Sequence, residues 1–338
     1  MSAAIPEGAV WARLPRFIGD AVMIAQALEP LRRAGKPLVA WGPAFVCELF
    51  EGGNAFTAVS PDPPRKPGSW ATAKLLKAHR AAAVVNFPRS QRALSGALLA
   101  RVAVRAGWRE GGGALLATHA LPFKAAPGHQ VERYRALLAK AFPGLEACEP
   151  APFTPRAEAE AEAERLLAEA GVSAPFVALA LGAMSWNKRL GTKAWIEVAD
   201  ALRTRGLGAV LLGAGAEDEA QAAEILKARP GLPSLVGRAP LSVGAAILRQ
   251  ARAVLANDSA LAHLAAAVGT PVVVAYGPTD PGVTRPWTDR AMVVRRDDLP
   301  CIGCMAHGCA VEGRPCLGGL DAARLLAALD AFLGAESP

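Results

Sequence analysis

Asp20 is the first residue whose type and position could do chemistry. It follows the apolar run Ala9-Val10-Trp11-Ala12 and the turn from Arg13 to Gly19, and a helix is expected from Ala21 to Ala34. An aspartate there has two readings. It caps the helix by accepting from free backbone N–H groups, or it stands at a strand end as a carboxylate able to take a proton from a hydroxyl. Arg13 and Arg16 would keep it ionised and attract an anionic acceptor. A second group, Lys188 and Arg189, ends the loop Gly182-Ala183-Met184-Ser185-Trp186-Asn187-Lys188-Arg189 after an apolar strand. It reads as a solvated surface pair, or as cations aimed at a phosphate leaving group beside the helix that starts at Thr192.

Asp258 and Ser259 form the third group. They lie between the apolar strand Val254-Leu255-Ala256 and the short helix Ala260 to Val268. In parallel α/β sheets ligands sit just past the carboxyl ends of the strands, and a capped helix start there offers backbone N–H groups to an anion. His263, on the apolar face of that helix, reads as a core or near-site histidine. The fourth group is Cys301-x2-Cys304-x4-Cys309-x6-Cys316 in a Pro- and Gly-rich loop. Four thiolates could make a tetrahedral structural zinc site, with no open position for catalysis; free thiols or disulfides are the other readings. Gly213-Ala214-Gly215 lacks the third glycine of a dinucleotide fingerprint and runs into Glu217-Asp218-Glu219, so it reads as a tight turn. No His/Ser/Asp spacing supports nucleophilic catalysis.

The elements that must position these groups alternate strand and helix in both halves. Apolar strands are expected at Ala9–Ala12, Pro37–Trp41, Ala81–Asn86, Phe176–Leu181, Ala209–Leu212, Ser234–Val236, Val254–Ala256 and Val272–Tyr276, and Arg105–Gly113 reads as a basic, Gly-rich loop. The segment Phe142 to Pro155 carries four prolines and little periodicity, which places a linker there. The expected division is residues 1–150, residues 151–319 and a closing tail at 320–338 with a helix from Asp321 to Leu333. Two open α/β domains with parallel sheets facing each other across a cleft follow from that pattern.

A chain of 338 residues suits two domains, because single cores rarely grow beyond roughly 250–300 residues. Its net charge of +7 is uneven: residues 1–150 hold 19 Lys and Arg against 10 Asp and Glu, and the remainder holds 18 against 20. A basic half suggests an anionic partner such as nucleic acid, a phosphorylated glycolipid or a membrane surface. Met1 to Trp11 lacks the pattern of a signal peptide. The longest uncharged stretch, Ser259 to Thr279, contains His263 and the break Gly269-Thr270-Pro271, so a buried helix and strand are expected rather than a membrane span. A soluble, cytoplasmic protein is the expectation, and its six cysteines do not resemble a secreted disulfide framework.

Several segments, in their order along the chain, resemble the ADP-heptose:lipopolysaccharide heptosyltransferase family (glycosyltransferase family 9), and its heptosyltransferase II branch most. They are Arg16 to Met23, Asn86 to Trp108 with Arg89-Ser90, Glu132-Arg133-Tyr134, Gly182 to Trp195, and Asn257 to His263 followed by Tyr276-Gly277-Pro278-Thr279. The resemblance implies a GT-B fold of two Rossmann-like domains and an inverting reaction that needs no metal cofactor. It places a nucleotide-sugar donor, ADP-heptose, on the C-terminal domain and a phosphorylated glycolipid acceptor, not nucleic acid, on the N-terminal one. Asp20 would be the general base and Lys188 would neutralise the diphosphate. Ser185, Arg189, Asp258, the Ser259-Ala260 backbone and His263 would serve the donor, and Arg13, Arg16 and Arg89 the acceptor. The enzyme would work in the cytoplasm, in peripheral contact with the inner face of the inner membrane. The chain departs from the family at Ala260, where glycine is usual, and at Leu190-Gly191, where a Trp-Pro pair is usual. A member using another nucleotide sugar, a nicotinamide-dependent oxidoreductase and a non-catalytic sugar-nucleotide-binding protein are the rival readings.

Overall fold

A computed structural model describes residues 4–65, 67–124, 128–306 and 308–334. Contacts divide the chain into two compact units, Met1–Arg156 and Ala157–Pro338.

The first unit holds six parallel strands: β1 (Val10–Arg13), β2 (Leu38–Gly42), β3 (Ala58–Pro61), β4 (Ala83–Asn86), β5 (Val104–Trp108) and β6 (His119–Leu121). Their order is β3-β2-β1-β4-β5-β6. The helices are α1 (Ile18–Ala27), α2 (Glu29–Arg33), α3 (Ala44–Phe50), α4 (Ser69–Ala78), α5 (Arg92–Leu99), α6 (Gly113–Leu116) and α7 (Gln130–Ala141). β1, β2 and β4 are apolar and buried on both faces, the usual condition of central parallel strands. Strand order reverses between β1 and β4, which opens a crevice past their carboxyl ends.

Three strands of this sheet escape the sequence pattern. The first part of the segment expected to be a basic loop, Arg105 to Trp108, lies in strand β5. Arg105 keeps its charge at the sheet's border by donating to the carbonyls of Leu116 (2.8 Å) and Val102 (2.6 Å). Gly107 packs closely on α5, since a Cβ there would lie 2.8 Å from Leu94 Cδ1. The edge strands β3, which runs into Ser60-Pro61, and β6, three half-buried residues, offer no apolar run. The proline-rich segment is laced onto this unit. Phe153 packs edge-on to Phe50 at 5.7 Å, and the Asn54 side chain donates to Pro152 O and accepts from Thr154 N.

The second unit has five parallel strands: β7 (Phe176–Ala180), β8 (Gly208–Leu212), β9 (Ala253–Asn257), β10 (Val272–Ala275) and β11 (Ala291–Val294), in the order β11-β10-β9-β7-β8. Its helices are α8 (Ala157–Glu169), α9 (Thr192–Thr204), α10 (Ala216–Ala228), α11 (Leu241–Gln250), α12 (Ala260–Ala267), α13 (Pro281–Thr284) and α14 (Ala322–Leu333). The closing helix α14 buries Leu325 and Leu329 in the core around Trp195, Leu179 and Leu255. The expected strand at Ser234–Val236 is reduced to a single bridge between Ser234 and Leu211. The uncharged stretch resolves into α12 and β10, and no helix among the described residues is long and apolar enough to cross a membrane. Order reverses here between β7 and β9, so the loops leaving those two strands flank the crevice.

Candidate functional site

The loops after β7 and β9 meet through three side chains. Asn257, fully buried at the end of β9, accepts from Leu190 N at 2.9 Å and donates to Leu181 O at 2.7 Å. It thereby pins both ends of the loop that carries Lys188. Within that loop a single 3-10 turn, Trp186–Lys188, aims the lysine, and Lys188 Nζ lies 2.7 Å from Asp258 Oδ2. Thr279 Oγ1 donates to the same oxygen at 2.6 Å. Tyr276 stands close by, its phenol pushed up chiefly by burial and secondarily by the Asp258 charge. Lys188 and Asp258, 70 residues apart, thus form one half-buried ion pair at the sheet's crevice.

Ser259 follows at the start of α12 in extended conformation, and its side chain makes no capping bond. Its Oγ is buried without a protein partner, unlike the capping role expected from sequence. A buried hydroxyl, free helix N–H groups and an ammonium at one point make a site for an anion with hydroxyls attached. His263 lies buried one turn along the same helix. Ala260 is half-buried beside Ser259, and Ser185 Oγ donates to Asn187 Oδ1 at 2.7 Å. Arg189 takes a different direction from Lys188. Its guanidinium bonds Asp218 Oδ1 at 2.5 Å, Glu217 Oε2 at 3.0 Å and Ala183 O at 3.1 Å, so it ties the loop to the start of α10.

The cysteine segment closes over that loop. Arg314 Nη1 donates to Trp186 O at 2.6 Å and Arg189 O at 3.0 Å, with its guanidinium 5.3 Å from the Trp186 ring centre. Asn187 Nδ2 donates to Ala306 O at 2.8 Å, and Met305 N to Pro278 O at 2.6 Å. Cys301, Cys304, Cys309 and Cys316 are all free thiols. Among the described residues no three His, Cys, Asp or Glu side chains are grouped to hold a metal, so the structure lends the structural zinc reading no support. The thiols are spent differently: Cys309 Sγ contacts Val311 O at 3.3 Å, and Cys304 faces solvent. Cys316 Sγ lies where a Cβ on Gly277 would meet it at 3.0 Å, so the segment packs directly against the turn after β10.

In the first unit a cavity of about 510 Å³ opens past the carboxyl ends of β1 and β4. Asp20, Arg13, Arg16, Arg89, Arg92 and Tyr134 are among its walls. Asp20 is the third residue of α1 and makes no capping bond for it, which decides against the capping reading. Tyr134 Oη, from α7, donates to Asp20 Oδ1 at 3.3 Å. Burial raises the Asp20 carboxyl above its ordinary value, and the Tyr134 bond partly offsets this. Arg13 is held by a bidentate pair with Asp62, at 2.6 and 2.7 Å, and lies over Trp41, 4.8 Å from its ring centre. Arg16 and Arg89 are exposed at the rim, each near an aromatic ring, Phe17 and Phe123 respectively. The Asn86 amide donates to Pro88 O and Ser90 O, which shapes the turn bearing Arg89. Sequence reasoning missed the parts played by Asn257, Thr279, Arg314 and Tyr134. Asn257, Thr279 and Tyr134 lay within the segments that carry the family resemblance, but nothing in them showed these parts, and Arg314 gave no signal at all.

A family model described as glycosyltransferase family 9 (heptosyltransferase) matches residues 69–314. Lipooligosaccharide heptosyltransferase 2 of Haemophilus influenzae is 36% identical over 106 residues, 30% of this chain and 30% of its own. Lipopolysaccharide heptosyltransferase 1 of Pseudomonas aeruginosa is 33% identical over 146 residues, 43% of this chain and 41% of its own. The chain therefore spans less than half the length of these two relatives. The solved structure of E. coli ADP-heptose lps heptosyltransferase II superposes with a TM-score of 0.79 at 23% identity, over 97% of this chain and 99% of that one, and so shares the GT-B fold.

Proposed function

The chain belongs to glycosyltransferase family 9, the heptosyltransferases, and from that premise we propose that it transfers a heptose from ADP-heptose to a phosphorylated glycolipid of the lipopolysaccharide core. The second unit is the donor's and the first the acceptor's. The observation that carries this reading is the meeting of Lys188, Asp258, Thr279 and the unpaired Ser259 hydroxyl at the start of α12.

In this mechanism Asp258 and Ser259 hold donor hydroxyls and phosphate oxygens, while α12 N–H groups and Lys188 face the diphosphate. The acceptor hydroxyl gives its proton to Asp20 as its oxygen attacks the anomeric carbon. The bond to the diphosphate breaks on the opposite face, inverting that carbon, and the departing charge is taken up by Lys188 and the helix start. A cation and a helix N-terminus do here what a divalent metal does elsewhere, so the reaction is read as metal-independent. Arg16 and Arg89 attract the phosphorylated acceptor. Arg189, committed to Asp218 and Glu217, serves by holding the loop. On this reading the enzyme works in the cytoplasm, in peripheral contact with the inner face of the inner membrane.

Thermal-shift titration against ADP-heptose, ADP-glucose and uridine-diphosphate sugars tests the donor. ADP-heptose should raise the melting temperature most. Lys188→Ala should weaken that donor roughly tenfold or more, and Asp20→Ala should abolish ADP release while leaving donor binding within about twofold. A chain stabilised only by a uridine sugar would overturn the donor assignment, and turnover by Asp20→Ala would remove Asp20 from the role of base.

A further inference from the structure

We propose that Tyr134 is the positioning residue of the base, fixing the Asp20 carboxylate at the cavity and keeping it able to accept a proton; this rests on the reading of Asp20 as the base. Tyr134 sits on α7, which packs against α1, and is only 3% exposed. Its ring has little freedom. Phe87 meets it edge-on at 5.3 Å and Trp108 lies 6.5 Å away, itself anchored by its indole N–H to Phe87 O at 2.6 Å. The phenol is thus aimed by packing, and its hydroxyl donates to Asp20 Oδ1.

The bond does two things. It selects one rotamer of Asp20 from those its half-buried position allows. It also favours the ionised form, against a burial that disfavours it. Burial holds the Tyr134 phenol well above its ordinary value, so the group stays protonated and donates throughout the working range.

Apart from the exposed Arg92, the other charged groups around Asp20 have partners elsewhere. Along the cavity wall Arg13 is paired with Asp62, and Arg16 and Arg89 lie against rings; Arg92 is an exposed wall residue. On α7, Glu132 accepts from His129 N, Arg133 lies over Phe123, and Arg135 and Lys140 donate to backbone carbonyls. On α2, Glu29 is bound by Arg32 and Arg33. Among the described contacts, the hydrogen bond to the Asp20 carboxylate comes from Tyr134.

Tyr134→Phe keeps the ring and removes the bond, so the test is its pH profile. Its kcat should fall about tenfold with donor KM within about twofold, and the acid limb of kcat/KM should move to higher pH. Carbon-13 titration of the carboxyl groups should show the Asp20 signal titrating at higher pH in the variant. In an Asp20→Asn background Tyr134→Phe should add nothing. An unmoved acid limb in a folded Tyr134→Phe enzyme, with Asp20→Asn inactive, overturns this proposal alone. An Asp20→Asn enzyme that turns over overturns the reading of the base and this proposal with it.

Discussion

Burial raises the Asp20 carboxyl above its ordinary value of 3.8, and that shift is also a statement about stability. A carboxyl that binds its proton more tightly when folded weakens the fold as pH rises. The loss begins near the unfolded value and is complete above the folded one. Asp20→Asn should therefore melt higher than the natural chain at neutral pH, by on the order of 2 °C, and the difference should vanish below the ordinary carboxylate range. Melting curves of the two proteins across pH check this, and a neutral-pH melting temperature lowered by Asp20→Asn would contradict it. Arg189 makes the opposite case. It is 13% exposed and its partner Asp218 is 3% exposed, so Arg189→Ala strands a buried carboxylate. A loss of about 3 kcal/mol in denaturant unfolding is expected, and Asp218→Asn in the same chain should restore part of it. Sequence could show a cation after β7 but not its direction, because the acids that claim it lie 28 and 29 residues further on.

At the level of elements, the strands legible in sequence were the apolar runs, the central ones and the edge strand β8 alike. β1, β2, β4, β7, β8, β9 and β10 are apolar runs, and each was expected within a few residues. β3 runs into Ser60-Pro61, β6 is three residues long, β11 is partly exposed between Arg290 and Arg295, and β5 is punctuated by Arg105 and Gly107, so none offers a clean apolar run. The crevice motifs were legible for the same reason as the central strands: they sit where those strands end. The cysteine segment was visible only as composition, and its spacing suggested a metal; its packing makes it a brace. Arg314 caps two carbonyls of the Lys188 loop and Asn187 crosses back to Ala306. Arg314→Ala should therefore free the loop without unfolding the unit. Donor KM should rise about tenfold, as expected for losing charge-assisted hydrogen bonds, while the melting temperature falls by no more than a few degrees. Initial-rate kinetics and a melting curve decide it, and an unchanged donor KM would leave the segment as cover for the core.

On the proposed assignment, the molecule divides its charge and its chemistry along the same line. The unit ending at Arg156 carries 20 Lys and Arg against 10 Asp and Glu, and the other carries 17 against 20. If the basic unit reads an anionic lipid, as proposed, it should lose affinity as salt screens it, whereas a donor held by short contacts at a helix start should lose less. Every group assigned to the donor lies within residues 157–338: the Lys188 loop, Asp258, Ser259, His263, Thr279, and the Arg314 brace. That unit also has its own sheet and a core that α14 seals with Leu325 and Leu329. Expressed alone, it should melt cooperatively and bind ADP-heptose with a Kd within about threefold of the full chain's, because no donor contact proposed here comes from the other unit. It should release no ADP when acceptor is added, since Asp20 is missing. Calorimetric titration of the fragment decides the matter: a folded fragment that fails to bind would mean the donor site needs residues from the first unit.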